Sequence, residues 1–219
     1  MSSSRGALIV LEGCDRSGKT TQCKKLVEYL LSKNVPSKYI NFPDRSTHIG
    51  KLINSYLSSK EDLDDHVIHL LFTANRWEAN KNMLNLLNQG TTLIVDRYSY
   101  SGVAFSSAKG LNLEWCKSPE IGLPKPDLVL LLTMTEEAIA RRSGYGNERY
   151  ETPELQKKVM KNFQDLKHKD CAKWLEINAD KSMEELQVEL QEIVMNAIIE
   201  AKNTEVKKLW NDKETINGI

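Results

Sequence analysis

Five short apolar runs punctuate the chain, and between them apolar positions recur at helical spacing. Residues 7–11 (ALIVL) are unbroken in their apolarity, the pattern of a strand covered on both faces of a parallel sheet. Residues 38–42 (KYINF, ended by Pro43), 92–95 (TLIV) and 128–132 (LVLLL) predict three more strands, and 173–177 a weaker fifth. The stretches between them read as helices. Leu26, Val27, Leu30 and Leu31 make one apolar stripe, and Ile49, Leu52, Ile53, Tyr56 and Leu57 a second. Asp64 or Asp65 caps a third helix, whose core face the spacing assigns to Val67, Leu70, Leu71, Ala74 and Trp77. Another helix spans about 183–201, and a polar tail covers about 203–219. Strands alternating with helices predict a doubly wound α/β fold with right-handed crossovers. Ligands of such folds sit at the carboxyl ends of the strands.

Composition narrows the partners more than the fold. The 219 residues, 40% hydrophobic, suit one α/β domain over 1–219. A chain of this length buries roughly 70% of its unfolded surface. The 30 basic residues offset the 30 acidic ones, so the overall charge offers nothing to nucleic acid. A locally positive cleft for small anions stays compatible with that balance. Cys14, Cys23, Cys116 and Cys171 have neither Cys-x-x-Cys spacing nor paired histidines. This speaks against a zinc site or disulfide framework and for a reducing, cytoplasmic setting. No signal peptide is expected from MSSSRG, and no apolar run has the length of a membrane span.

The chemistry concentrates at strand ends. Residues 13–20 (GCDRSGKT) fit G-x-x-x-x-G-K-T, with a strand before and a helix after. Backbone N–H groups and the helix N-terminus cradle phosphate in such a loop, Lys19 reaches the β- and γ-phosphates, and the Thr20 hydroxyl ligates Mg²⁺. ATPases, GTPases and small-molecule kinases share this loop, and the chain contains no guanine-reading N-K-x-D. A kinase also needs an acceptor site. Phe42-Pro43-Asp44-Arg45 follow the second strand, and His69, Phe72 and Arg76 share a stripe displaced from the assigned core face. That stripe could bind a base and a phosphate, but on the helix alone a solvated arginine beside a peripheral phenylalanine is the favoured reading. Asp96-Arg97 end the third strand, suited to ordering Mg²⁺ through water and clamping a phosphate, or to a surface ion pair. Residues 141–151 (RRSGYGNERYE) have the glycine and charge of a closing lid, or of an ordinary exposed loop.

Together LEGCDRSGKTTQ, NFPDRST, HLLFTANRWE, VDRYSYSGVAFSSAKG and GLPKPDLVLLL resemble the thymidylate kinase family in its eukaryotic and poxviral form, densely from residue 6 to about 180. The resemblance implies a P-loop fold of the nucleoside monophosphate kinase type: a five-stranded parallel sheet flanked by helices, with a lid over about 141–152. It implies phosphorylation of dTMP to dTDP by ATP with Mg²⁺, in a homodimer. By resemblance Asp15, Arg16, Lys19, Asp96 and Arg97 are the catalytic set. Gly13, Ser17, Gly18, Thr20 and Thr21 join Arg16 and Lys19 around ATP, with Arg142 against adenine. Thr20 and, through water, Asp96 serve the metal. On the acceptor side Phe72 resembles the ring that stacks on thymine and Arg76 the donor to a base carbonyl. Arg45 and Arg97 resemble the phosphate clamp, and Asp15 the partner of the sugar 3′-hydroxyl. Phe42, Tyr150 and Gln156 match acceptor-side positions. Phe105, with Ser101 and Gly102, resembles the wall that leaves little room for a ribose 2′-hydroxyl. Asp44 stands where glutamate is common and Asn147 where histidine is frequent. In this family the catalytic arginine comes from the loop or the lid, and Arg16 implies the loop.

Three rival readings share the phosphate loop: a kinase for dUMP or an analogue, a nucleotide-binding regulator without turnover, and a plain ATPase. The complete set Arg16, Lys19, Asp96 and Arg97 argues against the regulator. The second arginine cluster argues against the ATPase.

Overall fold

All five strands run parallel, in the order β2-β3-β1-β4-β5: β1 Leu8–Gly13, β2 Ser37–Asn41, β3 Thr92–Asp96, β4 Leu128–Thr133 and β5 Trp174–Asn178. The structure is a computed structural model and describes residues 4–135, 138 and 149–211. Among these residues the helices are α1 Lys19–Ser32, α2 His48–Leu57, α3 Asp65–Asn88, α4 Ser99–Ala108, α5 Leu113–Lys117, α6 Pro153–Lys169 and α7 Met183–Ala201. A 3₁₀ turn covers Ser118–Glu120. The predicted strands stand within a residue or two of these bounds, and the fifth is the half-exposed edge strand β5.

The central strands need apolar side chains on both faces because helices cover both. Leu8, Val10, Leu93, Val95, Val129 and Leu131 pack toward α2, α3, α4 and α6. Ile9, Leu11, Ile94, Leu128, Leu130 and Leu132 pack toward α1 and α7. Each such side chain contributes about 1.5–3 kcal/mol when fully buried. The register aligns Leu11 and Asn41 with Asp96, so the carboxyl ends of β1, β2 and β3 lie at one edge, with β1 running two residues further to Gly13.

Helix caps show what that edge is for. Thr47, Asp64, Asn112, Thr152 and Ser182 cap their own helices, Ser182 in a capping box with Glu185. α1 and α4 have no such side-chain cap. Glu12 of β1 stands in for α4, accepting from the Tyr98 N–H (2.9 Å) and the Ser101 N–H (3.1 Å). The N-terminus of α1 faces the open cleft described below.

The sequence reading of α3 is inverted in the structure. Val67, Leu70 and Trp77, assigned to its core face, are exposed, and Leu71 and Ala74 are only half-buried. The inward face carries Ile68, His69, Thr73, Asn75, Arg76, Met83 and Leu87. Its polar members are satisfied rather than solvated: His69 lies between Ser106 Oγ (2.8 Å) and the Cys116 carbonyl (2.9 Å) and does not itself line the cleft. Hydropathy alone misorients a helix whose buried side is a hydrogen-bonded wall. α4 and α6 carry no stripe in the sequence reading, α4 because nearly all its residues are buried.

Candidate active site

The phosphate loop closes on itself before α1 begins. Gly13 has φ 136°, and a Cβ there would stand 2.4 Å from the Leu132 carbonyl oxygen, so the turn requires glycine. Gly18 (φ 90°) then hands the chain to α1. Lys19 is buried and donates from Nζ to the Cys14 carbonyl (2.6 Å) and Ser17 Oγ (3.2 Å). Burial first, and then the nearby Arg97 guanidinium, push its ammonium down to about 8. A polyanion in the loop would reverse that shift. Thr20 Oγ1 donates to Asp96 Oδ2 at 2.5 Å, and Tyr39 Oη reaches the same oxygen at 3.3 Å.

Beside the loop, Asp15, Arg97 and Gln156 form one network. Arg97 donates from Nη2 to Asp15 Oδ1 (2.5 Å) and from Nη1 to the Gly13 carbonyl (3.1 Å) and Ser101 Oγ (3.1 Å). Gln156 of α6 donates to Asp15 Oδ2 (2.6 Å) and accepts from the Asp15 N–H (3.0 Å). Burial favours the neutral Asp15 carboxyl, but Arg97, Lys19 and these hydrogen bonds outweigh it and hold its pKa below the ordinary value. Burial likewise opposes the charge on Arg97, and the acids Asp15, Asp96 and Glu12 overcome it, raising the guanidinium pKa. Glu12 is fully buried, takes a 2.5 Å hydrogen bond from Ser101 Oγ, and titrates above the carboxylate range because burial dominates.

The far wall comes from α2, α3 and α4. Asn75 of α3 accepts from the Asp44 N–H (2.7 Å) and donates to Thr47 Oγ1 (3.0 Å), fixing the turn that presents Arg45. Arg45 donates to Asn54 Oδ1 (2.8 Å). Arg76 is buried against Glu120. α4 approaches it so closely that a Cβ on Gly102 would lie 2.4 Å from Arg76 Nη2. Phe105 stacks on Tyr150 (centroids 5.5 Å apart, 29° between planes), with the Arg97 guanidinium 5.3 Å from the Phe105 centroid. Arg16 has φ 65° and donates to Glu151 Oε1 (3.3 Å).

These groups border a single open cleft of about 830 Å³. It takes in Arg16, Gly18, Lys19, Thr20 and Thr21 at one end. At the other it takes in Phe42, Arg45, Phe72, Arg76, Phe105 and Tyr150, with Asp15, Asp96, Arg97, Ser101 and Gly102 between. Gly13, Ser17 and Gln156 stand behind the lining and shape it. Arg142 and most of the anticipated lid lie outside the described residues. The sequence reading missed Glu12, Asn75, Glu120 and Glu151. Only Glu12 carried a signal, an acid inside an otherwise buried strand next to the loop.

A phosphate loop on the central strand of a parallel sheet, opening onto a walled acceptor cleft, defines a P-loop kinase of the nucleoside monophosphate class. The thymidylate kinase family model matches residues 11–190. Thymidylate kinase of Arabidopsis thaliana is 56% identical over 94% of this chain and 78% of its own length. The human enzyme is 46% identical over 96% of this chain and all of its own. The structure of Candida albicans thymidylate kinase superposes with a TM-score of 0.83 at 41% identity, covering 94% of this chain and 99% of that one. The chain belongs to the thymidylate kinase family, and its reaction is the ATP-dependent phosphorylation of dTMP.

Proposed function

We propose that the two ends of the cleft divide the substrates, ATP on the phosphate loop and dTMP along the α3–α4 wall. The observation that carries this division is Arg97. It joins the loop carbonyl of Gly13 to Asp15 within the same cleft as Phe72 and Arg76. Arg97 and Arg45 clamp the acceptor phosphate, and Asp15 takes the 3′-hydroxyl. Phe72 stacks on the base, a contact worth roughly 1–3 kcal/mol by analogy with other base–aromatic stacks. Phe105, Ser101 and Gly102 close the space a 2′-hydroxyl would need. The nucleophile is a dTMP phosphate oxygen, already ionised near neutral pH, so no general base is assigned.

The donor set suits Mg²⁺. Thr20 and Asp96 offer hard oxygens 2.5 Å apart at the start of α1, and no group of three or more His, Cys, Asp or Glu gathers to hold a metal among the described residues. Magnesium commonly takes one or two protein oxygens, with water and phosphate supplying the rest. Thr20 and Asp96, the latter through water, would hold it. When bound it neutralises developing phosphate charge.

The test is a panel of monophosphates with ATP and Mg²⁺, read as ADP formation. dTMP supports turnover, and dUMP, lacking one methyl group, is used at a kcat/KM roughly 10–200-fold lower. ADP release independent of any monophosphate would overturn the division.

Residues 141–152 are proposed as the lid, with its exit held by Arg149. Arg149 donates to the Tyr56 carbonyl (3.0 Å), Asp62 Oδ1 (2.6 Å) and the Glu61 carbonyl (3.0 Å). A second copy of the chain is proposed to cover the exposed apolar side of α2 and α3, where Leu52, Val67, Leu70 and Trp77 lie with Ile121. Leu70→Glu should convert a dimer to a monomer in sedimentation velocity, and an unchanged boundary would reject this face. A cytoplasmic setting is proposed from the cysteine spacing alone.

A further inference from the structure

Glu120 touches no part of the phosphate machinery, yet it is completely buried at the back of the base-side wall. It accepts from Thr73 Oγ1 (2.7 Å) and Ser99 Oγ (2.9 Å), and from Arg76 through both Nε and Nη2 (Nε at 2.9 Å to Oε2 and 3.0 Å to Oε1). Both carboxylate oxygens are therefore committed to donors from α3 and from the first turn of α4. An apolar pair would hold two helices together as well as a buried ion pair does, because desolvation offsets most of the attraction. What the ion pair adds is direction. With Nε and Nη2 engaged, the fork cannot rotate, and Nη1 is left with no hydrogen-bond partner among the described residues. Arg76 borders the cleft, and Gly102 supplies the clearance its guanidinium occupies.

A guanidinium only donates. We propose that Glu120 is a positioning residue for base selection: it locks Arg76 as a fixed donor, so that the wall takes a pyrimidine with a carbonyl at position 4 and refuses one with an amino group there. The proposal rests on Arg76 facing the base. A 4-amino pyrimidine would set donor against donor, and groups left unpaired on binding discriminate strongly.

The experiment compares steady-state kinetics of wild type, Glu120→Gln, Arg76→Met and the double variant, with dTMP and dCMP as acceptors. Glu120→Gln keeps the side chain's size but turns an amide N–H₂ toward the guanidinium. Its dTMP KM rises about tenfold, its ATP KM stays within about twofold, and the dCMP-to-dTMP ratio of kcat/KM rises at least tenfold. In the Arg76→Met background the same change moves dTMP KM by less than about twofold. Equal rises in both KM values, a full tenfold penalty without Arg76, or an unchanged dCMP ratio would each overturn the proposal. A normal dTMP KM in Arg76→Met would overturn the facing of Arg76 as well. If Glu120→Gln does not fold, Ser99→Ala carries the test. It leaves the ion pair and removes one bond to Glu120, so dTMP KM rises about two- to threefold with ATP KM unchanged, and no change in dTMP KM would refute the role.

Discussion

Replacing Arg16 by alanine lowers kcat for dTMP phosphorylation by about a thousandfold, while KM for ATP and for dTMP stays within about threefold. The barrier this residue addresses is the approach of one phosphate anion to another. Arg16 sits in the phosphate loop at the edge of the cleft, where it meets Glu151 at 3.3 Å. With ATP and dTMP bound as proposed, a guanidinium in that place would face both the γ-phosphate and the acceptor phosphate, and its charge would matter most when the transferring group lies between them. Ground-state binding therefore changes little and the chemical step changes greatly. The structure also narrows the competitors. Arg149 is occupied elsewhere, its guanidinium 4.2 Å from the Tyr56 ring centroid and bonded to Asp62. Alanine is the informative replacement because position 16 has φ 65°, a strain that alanine keeps and glycine would relieve. A stopped-flow or coupled assay showing less than a tenfold fall in kcat would remove Arg16 from the transferring step.

Legibility in the sequence followed the range of the interactions. The sheet was readable because a strand covered on both faces is apolar at every position, as in the β1 run LIVL. The phosphate loop was readable because its function depends on backbone shape, which local glycines dictate. α3 was misread for the opposite reason. Arg76, Asn75 and Thr73 are polar in sequence and buried in the fold, because Glu120, Asp44 and Thr47 satisfy them from 28 to 47 positions away. No local window contains those partners. Glu120 itself lies in a short turn between Pro119 and Gly122, where an acid ordinarily reads as solvent-exposed. The outward Leu70 and Trp77 completed the error by supplying a helical stripe of the right period on the wrong side. Periodicity reports a face that avoids water. It does not say whether that face meets the protein's own core or another surface.

Replacing Arg97 by methionine lowers kcat/KM for dTMP by about 10²–10⁴-fold, with KM for dTMP rising and ATP affinity little changed. A phosphate held by two charge-assisted hydrogen bonds loses roughly 1.5–3 kcal/mol for each, and every 1.4 kcal/mol is tenfold. Arg97→Lys, which keeps the charge without the fork, should recover only part of the loss. The same substitution acts on Asp15. In the wild-type protein Asp15 has a lowered pKa, so it contributes stability above the ordinary carboxylate range, and this contribution is lost as pH falls through the lowered value. Without Arg97 the burial that opposes the charge dominates, and the Asp15 pKa moves upward. A raised carboxyl favours the fold below about pH 4 and loses that advantage as pH climbs through the new value. The melting-temperature deficit of Arg97→Met relative to wild type should therefore widen between about pH 4.5 and 7, whereas Arg97→Lys should show a flat difference. Differential scanning calorimetry at several pH values reads this directly. A deficit that narrows toward neutrality would mean Arg97 is not what keeps Asp15 ionised, and the acceptor side of the loop would need another organiser.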